Sequence, residues 1–159
     1  MIDARDIKTI IGIDPDSEKH GVAVYRDFKL VALQELPLMP LIDLIQDEKD
    51  SGLIVSIENV MSNKFIYRRN QRGNSAVQSK IAISVGRNMQ SQVELVRALD
   101  GIGVLYELHP PGARNWAQRK PVFIKATSWT GRSNNDTRSA AYFGYLAVTR
   151  IKAFSKAAK

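Results

Sequence analysis

Two short apolar runs each close on a carboxylate, and nothing else in the chain constrains its fold as tightly. Residues 9–14 read Thr-Ile-Ile-Gly-Ile-Asp, and residues 53–58 read Leu-Ile-Val-Ser-Ile-Glu. β-Branched residues dominate both runs, which suits buried strands rather than helices. If the two strands lie side by side and parallel, Asp14 and Glu58 emerge at the same edge of a sheet.

The rest of the chain supplies the remaining layers. After a polar turn over residues 15–20, Gly-Val-Ala-Val-Tyr and then Leu30 to Leu33 propose two more strands, so the chain opens as a three-stranded meander. Pro37 and Pro40 break that pattern, and Leu41, Leu44 and Ile45 at helical spacing propose a short amphipathic helix ending near Ser51 and Gly52. A polar, basic loop follows Glu58 and runs through Asn74. Val77, Ile81, Val85, Met89, Val93 and Val96 then predict a long central helix over residues 75–99, with Ala82 and Gly86 allowing close packing. Residues 104–108 read as a fifth strand stopped by Pro110 and Pro111. Ser133 to Asp136 reads as the cap of a final helix running to about residue 154. The expected architecture is a single α/β domain over residues 1–159, a mixed five-stranded sheet with helices on both faces. Asp136, at the start of the last helix, could be carried to the edge that holds Asp14 and Glu58.

Composition narrows the chemistry. Without cysteine, and with only His20 and His109, the chain has no disulfides, thiolate zinc sites or thiol nucleophiles, and any metal must sit on oxygen ligands. The two histidines read as surface or strand-end residues. No apolar run approaches the roughly 20 residues of a membrane helix, and the charged N-terminus is unlike a signal peptide, so the expectation is a soluble cytoplasmic protein. The net charge of +7 conceals a division: residues 1–58 carry twelve acids and six bases, residues 59–159 four acids and seventeen bases. No acid lies between Glu58 and Glu94, where Lys64, Arg68, Arg69, Arg72, Lys80 and Arg87 fall, and beyond Glu107 Asp136 stands alone. Such a surface attracts a polyanion, usually nucleic acid, unless it is simply a solvated basic face.

The acids themselves can be read two ways. Asp14 before Pro15 also suits a turn, and Asp136 also suits a helix cap. Glu58 is harder to explain structurally, because a carboxylate ending a buried strand is costly without a partner or a metal. Asp136 is the one acid in a long basic stretch, which favours use by a site. Magnesium takes a few carboxylate oxygens plus water and phosphate, and three converging carboxylates meet that need.

In order and spacing these residues resemble the RuvC-type Holliday junction resolvases of the RNase H-like superfamily. Gly12 to Ser17 reads Gly-Ile-Asp-Pro-Asp-Ser against the family's Gly-Ile-Asp-Pro-Gly-Ser, Ile57-Glu58 matches its Ile-Glu pair, and Asp136 to Ala140 matches its closing-helix motif. The resemblance implies a magnesium-dependent endonuclease, with manganese able to substitute, that cuts four-way DNA junctions as a homodimer. It makes Asp14, Glu58 and Asp136 metal ligands. Ser139 departs from the pattern, standing where a fourth carboxylate is usual. The resemblance also places the loop after Glu58 against the branch point, with Met61, Phe65 and Tyr67 as candidate wedges and Lys64, Arg68, Arg69, Arg72 and Lys80 as phosphate contacts. Arg114, Arg119, Lys120 and Lys125 are candidates for a positive group at the scissile phosphate. Two alternatives stay open: another RNase H-like nuclease acting on RNA or hybrid, and a junction-binding protein with weakened catalysis.

Overall fold

The computed structural model describes residues 3–62 and 75–158. Strands β1 (Thr9–Asp14), β2 (His20–Arg26) and β3 (Lys29–Leu36) form the antiparallel meander, and β4 (Leu53–Glu58) and β5 (Tyr106–His109) extend the sheet in parallel with β1. The order is β3-β2-β1-β4-β5. The two carboxylate-tipped strands are therefore neighbours. Ile13 pairs with Ile57, so Asp14 and Glu58 follow one position later at the common C-terminal edge.

Strand alternation sorts the side chains between two faces. Ile11, Ile13, Val22, Val24, Val55 and Ile57 point to a core shared with Leu41 and Ile45 of α1 (Leu38–Glu48) and with Leu95 and Leu99 of α2 (Ser75–Ile102). The opposite face carries Ile10, Ala23, Tyr25 and Ile54 against Ala140, Ala147, Val148 and Ile151 of the last helix, α4 (Asn135–Ala157). Helices cover both faces, as expected.

Small residues let α4 lie almost on the sheet. A Cβ on Gly12 would stand 2.6 Å from the Gly144 nitrogen and nearer still to the Ala140 carbonyl oxygen, so any side chain there would push the helix away. Ser56 Oγ donates to the Phe143 carbonyl at 2.7 Å, and Tyr25 Oη donates to the Ala141 carbonyl at 2.6 Å. Such bonds satisfy polar groups inside the interface and fix where the helix begins relative to β1.

Three details differ from the sequence reading. The central helix continues to Ile102 and ends at Gly103 in a left-handed conformation, with the Gly103 and Val104 amides both bonded to the Leu99 carbonyl. Capping thus consumes the start of the expected fifth strand, which begins at Tyr106 and includes His109. An eight-residue helix, α3 (Lys120–Thr127), was not anticipated; Pro121 in its first turn is compatible with a helix start. Asn134, not Asp136, caps α4: its side chain accepts from the Thr137 amide while Thr137 bonds back to Asn134. Asp136 is therefore released from capping. No described helix is long and apolar enough to cross a membrane.

Candidate active site

Asp14 and Glu58 meet. Burial first, then the neighbouring Glu58 charge and the hydrogen bond between the two carboxyls, push the Asp14 pKa strongly upward. Glu58 is also raised, by burial above all. Among the described residues neither carboxylate has a salt-bridge partner. Two adjoining, half-buried acids without a cation favour sharing a proton or holding a positive ion, and both supply the hard oxygen donors that magnesium takes.

Asp136 arrives at the same edge by a different route. As the second residue of α4 it rests on Gly21, which pairs with Asp14 across the β1–β2 ladder. Asp14 feels its charge. The Asp136 carboxyl is raised by burial first and then by the charges of Asp16 and Glu35. Among the described residues no three His, Asp or Glu side chains are grouped tightly enough to make a metal cage. The close pair is Asp14 and Glu58, and Asp136 stands beside it.

Helix α2 holds the two loops at the rim. Ser91 Oγ donates to the Asp16 carbonyl at 2.6 Å, and the Ser17 amide donates to Asn88 Oδ1 at 3.1 Å. Buried Gln92 receives the Val60 amide at 2.7 Å and donates to Asn59 Oδ1 at 2.9 Å. His20 is a strand-end residue, as expected, but is buried at the start of β2 rather than at the surface; its Nδ1 accepts from the Asp16 amide, and burial lowers its pKa. On the far side, His109 lies opposite Glu58 in the β4–β5 ladder. Its Nε2 is 2.9 Å from Glu107, whose other carboxyl oxygen is held by Arg150.

No protein-family model matches the sequence, and no curated protein sequence matches it. Among solved structures, T. thermophilus RuvC in complex with a Holliday junction substrate aligns with a TM-score of 0.58 at 13% identity, over 94% of this chain and 96% of that one. A second Thermus thermophilus RuvC structure aligns at 0.54, also at 13% identity, over 93% and 96% of the two chains. The chain folds like RuvC.

Within this RuvC-like fold the other expected site residues are spread around the acids. Met61 is 48% exposed in a 3₁₀ turn (Val60–Ser62) three residues past Glu58, poised at the rim. Lys64, Phe65, Tyr67, Arg68, Arg69 and Arg72 lie outside the described residues. Lys80 is exposed on the first half of α2, Lys120 is exposed as the first residue of α3, and Arg114 is exposed next to Asn115. Ser139 is 2% exposed, and its Oγ receives the Asn115 side-chain amide at 2.8 Å; its hydroxyl partly offsets the upward push on the Asp14 carboxyl.

Three contributors escaped the sequence reading, Asn115, Gln92 and Arg138, while His109 ends β5 as its strand-end reading expected. Arg138 is 8% exposed with neutral acceptors only, the Ala117 carbonyl, Ser133 Oγ and Asn135 Oδ1. It ties the loop after β5 to the first turn of α4. Its immediate neighbourhood to Ser139 was the one available hint; Asn115 and Gln92 sit in no motif, and only the fold brings them to the edge.

Proposed function

We propose that this chain is a metal-dependent endonuclease that cuts branched DNA, with the four-way junction as its substrate. The observation that carries the reading is the half-buried contact of Asp14 with Glu58, without an ion-pair partner among the described residues, at the C-terminal edge of adjacent parallel strands in a RuvC-like sheet. The junction named with the RuvC complex, and the acid-poor, basic sequence after Glu58, support the choice of substrate.

Asp14 and Glu58 would hold magnesium or manganese, with Asp136 completing the acidic edge. When bound, the ion lowers the pKa of a water and stabilises the leaving oxygen. The chain's own residues do the positioning. Gly12 and Gly21 let α4 deliver Asp136 and Ser139 to the edge, α2 fixes the two rim loops, and Arg114 and Lys120 offer positive charge for a phosphate. Met61, with Phe65 and Tyr67, would wedge the branch point, while Lys64, Arg68, Arg69, Arg72 and Lys80 neutralise phosphates.

A junction has approximate two-fold symmetry and is cut at matched places, so two copies of the chain are expected to act together. The outer half of α2, where Ile83 is 55% exposed, is the candidate interface. A second reading, junction binding with weakened cutting, is favoured by Ser139 in place of an acid.

Incubation with a labelled four-way junction, with and without magnesium or manganese, tests the proposal. Paired symmetric nicks that need the metal, and that vanish in Asp14→Asn while binding persists, are the expected result. Binding without cutting under either metal supports the second reading. Preferential cleavage of an RNA–DNA hybrid would move the assignment to another RNase H-like nuclease.

A further inference from the structure

A cleft opens beside the acidic edge, between β3 and the segment that starts α4. It encloses about 330 Å³ and is lined by Leu33 and Glu35 from the strand and by Arg132, Ser133, Asn134 and Thr137 from the helix side. That volume lies at the lower end of the roughly 300–1,000 Å³ of pockets that take a small organic group. Strand register fixes its position. Glu35 pairs with Gly21, and Gly21 pairs with Asp14, so the three stand in one row across the sheet, on one face. Glu35 and Asp14 are therefore about 10 Å apart along that row, the span of a few nucleotides.

The polar groups of the cleft are arranged in a pattern. Asn134 Oδ1 accepts the Thr137 amide at 2.9 Å, which fixes the side-chain amide and leaves Nδ2 without a partner among the described residues. Ser133 Oγ accepts from Arg138 Nη1 at 3.1 Å and keeps its own proton. The Arg132 carbonyl accepts the Trp129 indole at 3.1 Å, while its exposed guanidinium has no acid partner among the described residues. Exposed Glu35 likewise has no cation partner among them. Donors thus line the helix side, and one carboxylate, an acceptor only when ionised, lines the strand side.

A phosphate would meet Glu35 as a like charge, so the cleft suits a neutral group that carries acceptors on one side and donors on the other. Among the DNA bases only guanine offers two adjacent donors, N1–H and the 2-amino group, to the two oxygens of a carboxylate. Its O6 and N7 remain as acceptors, the atoms that arginine commonly reads. An unstacked base exposes both of these edges, and extruding it costs least where it is already unpaired.

We infer that this cleft receives an unpaired guanine near the phosphate held at the acids, read by Glu35 on one edge and by Arg132 and Asn134 on the other. Glu35 is then a specificity-determining residue, a role that rests on the proposed reading of the chain as a DNA-cutting enzyme.

Binding in chelator tests the inference without any cutting. The probes are labelled oligothymidine strands holding one central guanine or one inosine, which lacks the 2-amino group, and four-way junctions with the same exchange at the crossover. Guanine should bind tighter than inosine by about 5- to 150-fold, the range of a good bidentate base contact. Glu35→Gln and Asn134→Ser should each remove most of that preference. Serine can still cap α4, and thermal unfolding checks that it does. Equal binding of guanine and inosine by the unaltered protein, or an undiminished preference in Glu35→Gln, would overturn the assignment. The nuclease reading fails separately: guanine preference without metal-dependent cleavage keeps the cleft and removes the nuclease, and cleavage without guanine preference does the reverse.

Discussion

The backbone of Asp136 rests against Gly21, the residue that faces Asp14 across the β1–β2 ladder. A Cβ at position 21 would lie 2.7 Å from the Asp136 carbonyl carbon and 3.3 Å from its Cβ. Only glycine lets α4 start this close to the acids. Gly21→Ala should therefore lift the first turn of α4 and cost about 1–3 kcal/mol. Manganese affinity should fall with it, although no carboxylate has been altered. Unaltered melting temperature and affinity in this variant would show that the contact does not hold Asp136 in place.

The Asp14–Glu58 pair should make the metal-free protein less stable than it could be. Both carboxyls have folded-state pKa values above their ordinary values near 4. Between those limits the folded chain carries more protons than the unfolded one, so this contribution is favourable at acidic pH and is lost as pH rises. Buried His20 works in the opposite sense, because its lowered pKa removes stability as pH falls below about 6.5. Comparing variants cancels that contribution. In chelator at pH 8, Asp14→Asn should be more stable than the unaltered chain by about 0.5–2 kcal/mol, and the gap should shrink toward pH 5. Denaturant melts at both pH values measure the difference; a less stable variant at pH 8 would contradict the assigned burial of charge.

Asp14 and Glu58 were legible because strands advertise themselves by apolar runs, and a carboxylate ending such a run has few structural uses. Asp136 was legible by its isolation in a basic stretch, but its exact direction was not, since Gly21 and the Asn134–Thr137 cap set how α4 begins. The fifth strand shifted because Val104 was claimed by the end of α2, a competition between capping and pairing that periodicity cannot resolve. Asn115, Gln92 and Arg138 act through side-chain bonds to groups distant in sequence. Nothing in their local sequence announces a partner 21 to 33 residues away.

Arg138 should be a structural clamp whose removal loosens the loop after β5. Its buried guanidinium reaches three acceptors in fixed directions, and a lysine cannot reproduce that fork. Arg138→Ala and Arg138→Lys should both destabilise the protein, the former by about 2–4 kcal/mol. Limited trypsin digestion should then cut faster after Arg114 or Arg119. Equal digestion rates in the three proteins would remove the clamp from the account.

Positive charge near the acids should matter for DNA binding, and charge at the opposite end of the sheet should not. Arg114 and Lys120 flank the loop that carries Asn115 to Ser139, whereas Lys152 lies over the Phe28 ring at the β2–β3 turn, 5.5 Å from its centroid. Each phosphate contact releases counterions, and its loss flattens the log–log dependence of affinity on salt by about 0.9 on duplex DNA. The double replacement of Arg114 and Lys120 by alanine should reduce the slope for a four-way junction by about twice that amount. Lys152→Ala should leave it unchanged, because a lysine engaged with an aromatic ring at the far end of α4 has no phosphate to give up. Junction titrations across a range of salt concentrations distinguish the two variants, and equal slopes would place the DNA elsewhere on the surface.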